Sequence, residues 1–555
     1  MLFTKRLSLY FIGLFIYTSS FAQIDRSLIP LGFNLSEQEL MALPLQTYPL
    51  PALPPTVLST KHGAYPRMGI CVPTDINLIE QGVKTQVGRD VCYLFKIEIS
   101  GAKGLVPYFD RFRLTPGSTL HIYSRNKTEW IGAFTSVNNT DNGYNSLGLF
   151  NGAEMIVEYS PGENAYADEL HISEIGVAQQ LVPIKKRSTP EFGSSQNCEV
   201  NVNCPEGDNW QNQKRAVARI LVKTGNEFGW CSGTMVNNTG NDCTPFLLTA
   251  DHCGIKSNGG YASSTDFNQW TFYFNYESAD CTNPNSDSAI VDDFLVGSSR
   301  IAYSQDQGGD NGSDFLLVKL KKRPDSLYNT YYAGWNAENI VPDSGIGIHH
   351  PSADIKKISK FGTQATSTSW GGNKNDTHWQ VVWKQTASGW GITEEGSSGS
   401  AIFNAQQQII GTLTGGNSFC SSPTAPDDYG KFSYHWNSNS STLQKQLQPW
   451  LDSLATGLTQ MDGRDKCVTD APNAILPVQK DDITLQLYPN PTQGKLCVQT
   501  KTKIQRVLVY DLTGKIVGVG GNSGQYTFDY LTAGIYTVQV VTTAKTFTQK
   551  LIVAK

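Results

Sequence analysis

The sequence predicts an all-β protein divided into several domains, and three observations carry that prediction. Its 555 residues are too many for one typical domain. Only 17% of them are charged, where about a quarter is usual, and the 51 glycines, with abundant Ser, Thr and Asn, suit a chain rich in turns. Apolar residues also recur at every second position. Phe95, Ile97 and Ile99 point one way while Lys96 and Glu98 point the other. The net charge of −5 gives no electrostatic case for nucleic-acid or membrane binding, and no basic patch carries interleaved aromatics.

Residues 1–22 have the layout of a secretory signal: Lys5 and Arg6, the apolar run Leu7 to Tyr17, then Ser20-Phe21-Ala22 before Gln23. The apolar run is too short to span a membrane, and no later stretch approaches 18 apolar residues. Export places the cysteines in an oxidising compartment, where disulfides persist. From Gln23 to about Pro55 the chain is proline-rich and is expected to be extended and poorly packed. Residues 60–185 then alternate as strands do, with Leu120 and Ile122 following the Pro116-Gly117 turn and Met155-Ile156-Val157 as another short run. This region is expected to be a β-sandwich with Cys71 and Cys92 bridged, and it holds no nucleophile constellation.

The next region contains the chemistry. Gly396-Ser397-Ser398-Gly399-Ser400 holds a serine between glycines ahead of the apolar Ala401-Ile402-Phe403. Gly396 permits a sharp turn that aims its N–H, beside that of Ser398, at a developing oxyanion. Gly399 is expected to keep the other flank open to a substrate carbonyl. A Gly/Ser-rich loop would look much the same, so the serine motif needs partners elsewhere. Phe246-Leu247-Leu248-Thr249-Ala250-Asp251-His252-Cys253 ends a strand on a histidine, and Gly312-Ser313-Asp314 heads the run Phe315-Leu316-Leu317-Val318. A histidine can take the serine proton, and a buried aspartate can hold its tautomer and stabilise its cation. His252, Asp314 and Ser398 occur in the chain order of the chymotrypsin-type triad. Asp310 is the rival third member, but it sits among glycines with no strand behind it.

Trp230-Cys231-Ser232-Gly233-Thr234-Met235 with Leu248-Thr249-Ala250-Asp251-His252-Cys253 resembles the strands around the catalytic histidine of trypsin-like proteases. Cys204-Pro205-Glu206-Gly207-Asp208, Ala333-Gly334-Trp335, Ile348-His349-His350-Pro351, Ser369-Trp370-Gly371-Gly372, Gly391-Ile392-Thr393-Glu394 and Asp427-Asp428-Tyr429-Gly430 narrow the resemblance to lysyl endopeptidases, over residues 193–464. It implies a chymotrypsin-like double β-barrel of six strands each, with the triad in the cleft between them. It further implies a serine endopeptidase without cofactor, acting on protein or peptide substrates through an acyl-enzyme, and disulfides Cys198–Cys420, Cys204–Cys281 and Cys231–Cys253. Cys243 and Cys467 remain and are paired with each other. His349-His350 would not converge on one ion, because neighbours on a strand face opposite ways, and no close-spaced cysteine pair suits zinc. No metal is expected.

The resemblance also places a specificity pocket. Asp427, shortly after Cys420 and before Tyr429-Gly430, would meet a basic P1 side chain, with Asp428 merely solvated. The backbone of Thr414-Gly415-Gly416 would form the substrate rail, with Trp370 covering the site. Lysine-selective relatives carry a histidine at the place of Thr414, packed on that tryptophan. The expectation is therefore cleavage after Lys, with Arg second. The alternatives are another P1 preference, an esterase, or a protease-like surface-binding protein with a vestigial site.

The resulting division is 1–22 signal, 23–187 propeptide, 188–467 protease, 468–481 linker and 482–555 a third unit. The propeptide, between signal and protease, would assist folding or block the site, and Lys185-Lys186-Arg187 would be its processing point. The last unit alternates as a small β-sandwich. Its Leu487-Tyr488-Pro489-Asn490-Pro491, Gly514-Lys515 and Ala533-Gly534-Ile535-Tyr536 resemble the C-terminal sorting domain of type IX secretion cargo, which implies contact with that secretion machinery. A carbohydrate- or surface-binding module is the other reading. Cys497 is left unpaired, and the protein is taken as a monomer.

Overall fold

The computed structural model describes residues 24–25, 27–51, 67–179, 194–284, 293–465 and most of 486–554. The signal segment, the basic triplet at 185–187, Cys467 and the linker lie outside the described residues. The chain forms two compact units, 1–468 and 469–555.

In the first unit, residues up to 179 build two facing sheets. One orders Leu45–Thr47, Asp90–Glu98, Glu154–Ser160, Thr119–Tyr123 and Trp130–Phe134. The other has Glu169–Ala178 between Arg67–Asn77 and Gly104–Arg113. Phe95, Ile97 and Ile99 bury between the sheets, as the alternation requires. The opposite face of the first sheet is covered by the proline-rich start, which is packed rather than loose. Ser36 and Glu39 form a capping box that begins the helix Glu37–Met41, Leu40 is fully buried, and Leu45–Thr47 pairs in parallel with Asp90–Glu98. The Ser-x-x-Glu spacing was the available signal, and proline content masked it. Cys71 and Cys92 are both free rather than bridged. Cys71 enters the core between the sheets, whereas Cys92 faces the cluster under the Leu31–Leu43 segment. Burial pushes both thiols up, so neither is a reactive thiolate.

The second of those sheets does not end at residue 179. Arg67–Asn77 pairs antiparallel with Glu227–Met235, with Ile70 opposite Glu227 and Gly69 opposite Phe228. Leu221, Phe228, Trp230, Tyr273, Phe294 and Val296 consequently share the sandwich core.

Residues 217–320 form a closed barrel. Val217–Thr224, Glu227–Met235, Phe246–Thr249, Leu316–Leu320 and Ser298–Tyr303 pair in turn, and Asp293–Val296, continuous with Ser298–Tyr303 across Gly297, returns through Thr271–Phe274 to Val217–Thr224. A second barrel orders Lys357–Phe361, Gly345–His349, Ala401–Asn404, Ile409–Gly416, Asp427–Lys431 and His378–Val381, and a Phe361–Trp383 bridge closes it. This is the expected double barrel. The three expected bridges Cys198–Cys420, Cys204–Cys281 and Cys231–Cys253 are present. Cys243 is disulfide-bonded, and its expected partner lies outside the described residues.

The second unit packs Gln486–Tyr488, Lys495–Gln499 and Gln525–Thr527 with a four-stranded sheet made of Ile504–Tyr510, Ile516–Gly520, Gly534–Thr542 and Thr546–Val553. Leu496, Val498, Val507, Val538 and Leu551 form its core, and Cys497 is free.

Candidate active site

His252 leaves the end of Phe246–Thr249 in a short 3-10 turn, and Asp314 precedes Leu316–Leu320, the strand paired with it. That pairing brings the two side chains together. His252 Nδ1 lies 2.7 Å from one carboxylate oxygen of Asp314, and the His252 backbone N–H donates to the other at 2.9 Å. Both residues are buried. Burial works against the Asp314 carboxylate, but the charge and hydrogen bonds of His252 outweigh it and hold its pKa below the ordinary value. The other ring nitrogen, Nε2, is buried with no hydrogen-bond partner among the described residues. Asp310 is not in this pair. Its carboxylate faces Gly371, in the loop of Trp370.

The serine loop comes from the opposite barrel and is pinned to the histidine's barrel by Ser232. The Ser232 N–H donates to the Ser398 carbonyl at 2.8 Å, and its hydroxyl donates to the Gly396 carbonyl at 2.8 Å. The Ser398 carbonyl also lies 3.8 Å from Cys253 Sγ, next to His252 in the chain. Gly396 has φ +95° and Gly399 φ +79°. Gly399 serves packing rather than substrate access: a β-carbon there would stand 2.0 Å from Thr249 Oγ1 and 2.7 Å from the Ser232 carbonyl. Among the described residues neither the Gly396 nor the Ser398 N–H donates to a protein acceptor.

Asp306 carries no motif and escaped the sequence reading, and the contacts made by Asp251, His349 and His350 could not be read from the motifs that hold them. Asp306 accepts the Asp314 N–H at 2.8 Å and so fixes Asp314 at φ +59°. Burial and the Asp314 charge push Asp306 up, and burial with both neighbouring carboxylates pushes Asp251 up further. His349 sits between Ser397 Oγ and Ser359 Oγ, 2.8 Å from each. Ser359 donates onward to the Ile392 carbonyl and Ser397 accepts the Glu394 N–H, so a neutral ring protonated at Nε2 satisfies every member of that chain. Burial holds His349 down at about 3, consistent with that neutral form. His350 turns elsewhere, with Nδ1 2.9 Å from the Asp354 carbonyl, so the two adjacent rings take separate partners. Cys231, His252 and Cys253 cluster closely enough to suggest a metal, but the two sulfurs are bonded to each other and offer no thiolate.

Asp427 is fully buried on the strand opposite Gly416 and accepts four hydrogen bonds: from Trp383 Nε1 (2.6 Å), Thr393 Oγ1 (2.7 Å), and the hydroxyl (2.6 Å) and N–H (3.1 Å) of Ser418. Burial raises its pKa and these donors oppose the rise. Asp428 faces the other way, half-buried and bonded to Gln380, with its pKa pushed up to about 6. Trp370 lies over Gly415, where a β-carbon would stand 2.8 Å from the indole. The Thr414 side chain turns inward. Its hydroxyl lies 3.0 Å from His378 Nε2 and helps hold Asp314 ionised. The ring of His378, which burial holds at about 4, stands 6.2 Å from that of Trp370. A histidine is thus restored beside the tryptophan from a different strand.

Comparison with known proteins agrees with the chemistry of this cleft. Residues 192–430 match the family of the lysyl endopeptidase C-terminal domain, and residues 486–554 match the secretion system C-terminal sorting domain. Among solved structures, a thermostable serine protease, AL20, from an extremophilic microorganism is 13% identical over 39% of this chain and 91% of its own, with a TM-score of 0.29. The Rv3671c protease of M. tuberculosis, in its inactive form, is 11% identical over 40% of this chain and 86% of its own, with a TM-score of 0.24. The chain is a secreted or cell-surface serine endopeptidase whose residues 192–430 match the lysyl endopeptidase C-terminal domain and whose residues 486–554 match the sorting domain of the type IX secretion route.

Proposed function

We propose that the enzyme cleaves peptide bonds after lysine, with arginine second, using Ser398 as nucleophile, His252 as general base and acid, and Asp314 as the carboxylate that orients it. The observation that carries this is the buried His252–Asp314 pair, 2.7 Å apart, with the second imidazole nitrogen buried and without a hydrogen-bond partner among the described residues. In this reading Nε2 accepts the Ser398 proton as the hydroxyl attacks the scissile carbonyl. Asp314 stabilises the imidazolium, and the Gly396 and Ser398 N–H groups take the oxyanion. The proton then goes to the leaving amine, and water repeats the sequence on the acyl-enzyme. Asp427 receives the substrate's cation: it is a buried anion with four donors and no cationic partner among its described neighbours. Residues 23–187 act as the propeptide, removed at Lys185–Arg187, and the mature protease works as a monomer.

The test is a fluorophosphonate probe and a lysyl peptide substrate on Ser398→Ala, His252→Ala and the double variant. Labelling and turnover should be abolished in the serine variant and fall by several orders of magnitude in the histidine variant. The double should be scarcely worse than either, because the groups act as a unit. Near wild-type turnover in Ser398→Ala would remove the mechanism.

A further inference from the structure

The two oxygens of the Asp427 carboxylate are not equivalent. Oδ2 takes three donors: the Trp383 indole N–H at 2.6 Å, the Thr393 hydroxyl at 2.7 Å and the Ser418 hydroxyl at 2.6 Å. The directions are fixed, since indole nitrogen can only donate. Ser418 Oγ already accepts the Thr393 N–H at 3.2 Å, so its own proton goes to Asp427. Oδ1 accepts one bond, the Ser418 N–H at 3.1 Å. A carboxylate has about four acceptor positions, two on each oxygen. Oδ2 is therefore saturated, and one position remains on Oδ1. That oxygen lies under the exposed Gly416, where a β-carbon would overlap it at 1.8 Å, so only glycine leaves it room there.

A guanidinium engages a carboxylate best with two parallel N–H groups, one to each oxygen, whereas an ammonium is a point donor that needs one acceptor per N–H. We propose that Trp383, Thr393 and Ser418 determine the choice of lysine over arginine, by occupying Oδ2 so that Asp427 can be approached only through a single position on Oδ1. An arginine would reach the same acid but lose the second bond of its fork. A hydrogen bond to a charged group is worth about one to two factors of ten in affinity. This inference rests on the assignment of Asp427 to the pocket that takes the P1 side chain.

The experiment measures kcat/KM for matched Arg and Lys peptides on enzyme matured from the full chain, as wild type, Thr393→Val, Thr393→Val/Ser418→Ala and Asp427→Asn. The Arg:Lys ratio is expected to rise at least about fivefold in Thr393→Val/Ser418→Ala, which leaves Trp383 alone on Oδ2 and opens one of its two positions, while Thr393→Val, which leaves two donors there, stays at the wild-type ratio. The ratio is unaffected by the amount of folded enzyme. A smaller rise in the double variant, or an equal rise in Thr393→Val alone, overturns the proposal. Should that double variant not fold, Thr393→Val/Trp383→Phe, which leaves Ser418 alone on Oδ2, decides by the same count. Retained lysine cleavage in Asp427→Asn would instead remove the pocket assignment itself, which keeps the two failures distinct.

Discussion

Replacing Gly399 with alanine should damage the junction between the barrels more than any other one-methyl change in the serine loop. The added β-carbon would stand 2.0 Å from Thr249 Oγ1, 2.6 Å from the Ala250 nitrogen and 2.7 Å from the Ser232 oxygen. Two of those atoms are backbone and cannot rotate aside. The residue also sits at φ +79°, which costs an alanine about 1–2 kcal/mol. Overpacking adds about 1–3 kcal/mol, for a total of about 2–5 kcal/mol. The loop cannot retreat cheaply, because the Gly399 N–H donates to the Leu413 carbonyl at 2.9 Å and the neighbouring Ser398 carbonyl accepts from Ser232 at 2.8 Å. The loss corresponds to about 4–20 °C in Tm for a domain of this size.

Thermal unfolding should be measured in a Ser398→Ala background to exclude autolysis, and fluorophosphonate labelling in the active Gly399→Ala enzyme. A displacement of the serine by about 1 Å would slow labelling by about a hundredfold. Gly396→Ala is the control: its β-carbon meets nothing closer than 3.0 Å, and its effect on Tm should be smaller. A Tm within about 1 °C of the parent together with unchanged labelling would refute the packing role assigned to Gly399.

Three further outcomes are expected. Burial raises the Asp427 pKa, so its charge is lost as pH falls through a value above the ordinary 3.8; the kcat/KM ratio of lysyl to norleucyl substrates should decline there, and a flat ratio down to about pH 4 would contradict the pocket assignment. Replacing both Cys231 and Cys253 with alanine opens a 22-residue loop and should cost about 3 kcal/mol by denaturant unfolding, together with mobility at His252. Removing residues 486–554 should leave an active protease that accumulates inside a host with type IX secretion, and normal export would recast that unit as a binding module.

What was legible in the sequence is what lies in short contiguous motifs. His252 and Ser398 each sit in one. Asp314 could be preferred over Asp310 because a strand follows it, and the pairing of that strand with Phe246–Thr249 is indeed what delivers its carboxylate to the imidazole. Roles that arise from tertiary contact left no such trace, even for residues such as Thr393 and His349 that lie within a motif. Trp383, Thr393 and Ser418 reach Asp427 from three separate segments, and His349 meets Ser397 only because the strand Gly345–His349 pairs beside Ala401–Asn404. Cys71 and Cys92 misled because strand alternation places a residue on one of two faces without saying which cluster that face joins.

The junction between the N-terminal sandwich and the first barrel separates the two roles open to the proposed propeptide. The described polar contacts between them fall on the barrel wall. Cys71 N–H donates to the Asn226 carbonyl at 2.8 Å, Arg67 pairs with Glu227 at 2.6 Å, Lys223 with Glu174 at 2.7 Å, and Gln269 donates to the Phe109 carbonyl at 3.0 Å. None involves His252, Ser398 or Asp427, which favours a folding role over a plug in the cleft. Six apolar barrel residues bury in the shared core. At about 1.5–3 kcal/mol for each full burial, their upper limit of about 9–18 kcal/mol rivals the whole stability of a domain. A barrel that has never met the sandwich should therefore fold poorly, whereas one already closed and disulfide-bonded can persist after the sandwich leaves. Refolding Ser398→Ala protein of residues 188–555, alone and with residues 23–187 added in trans, tests this by near-UV circular dichroism and resistance to added trypsin. The added segment should raise the native yield at least about tenfold, a modest demand given the burial at stake. Equal yields with and without it would show that the barrel closes unaided, and the shared core would then be a docking surface with no part in folding.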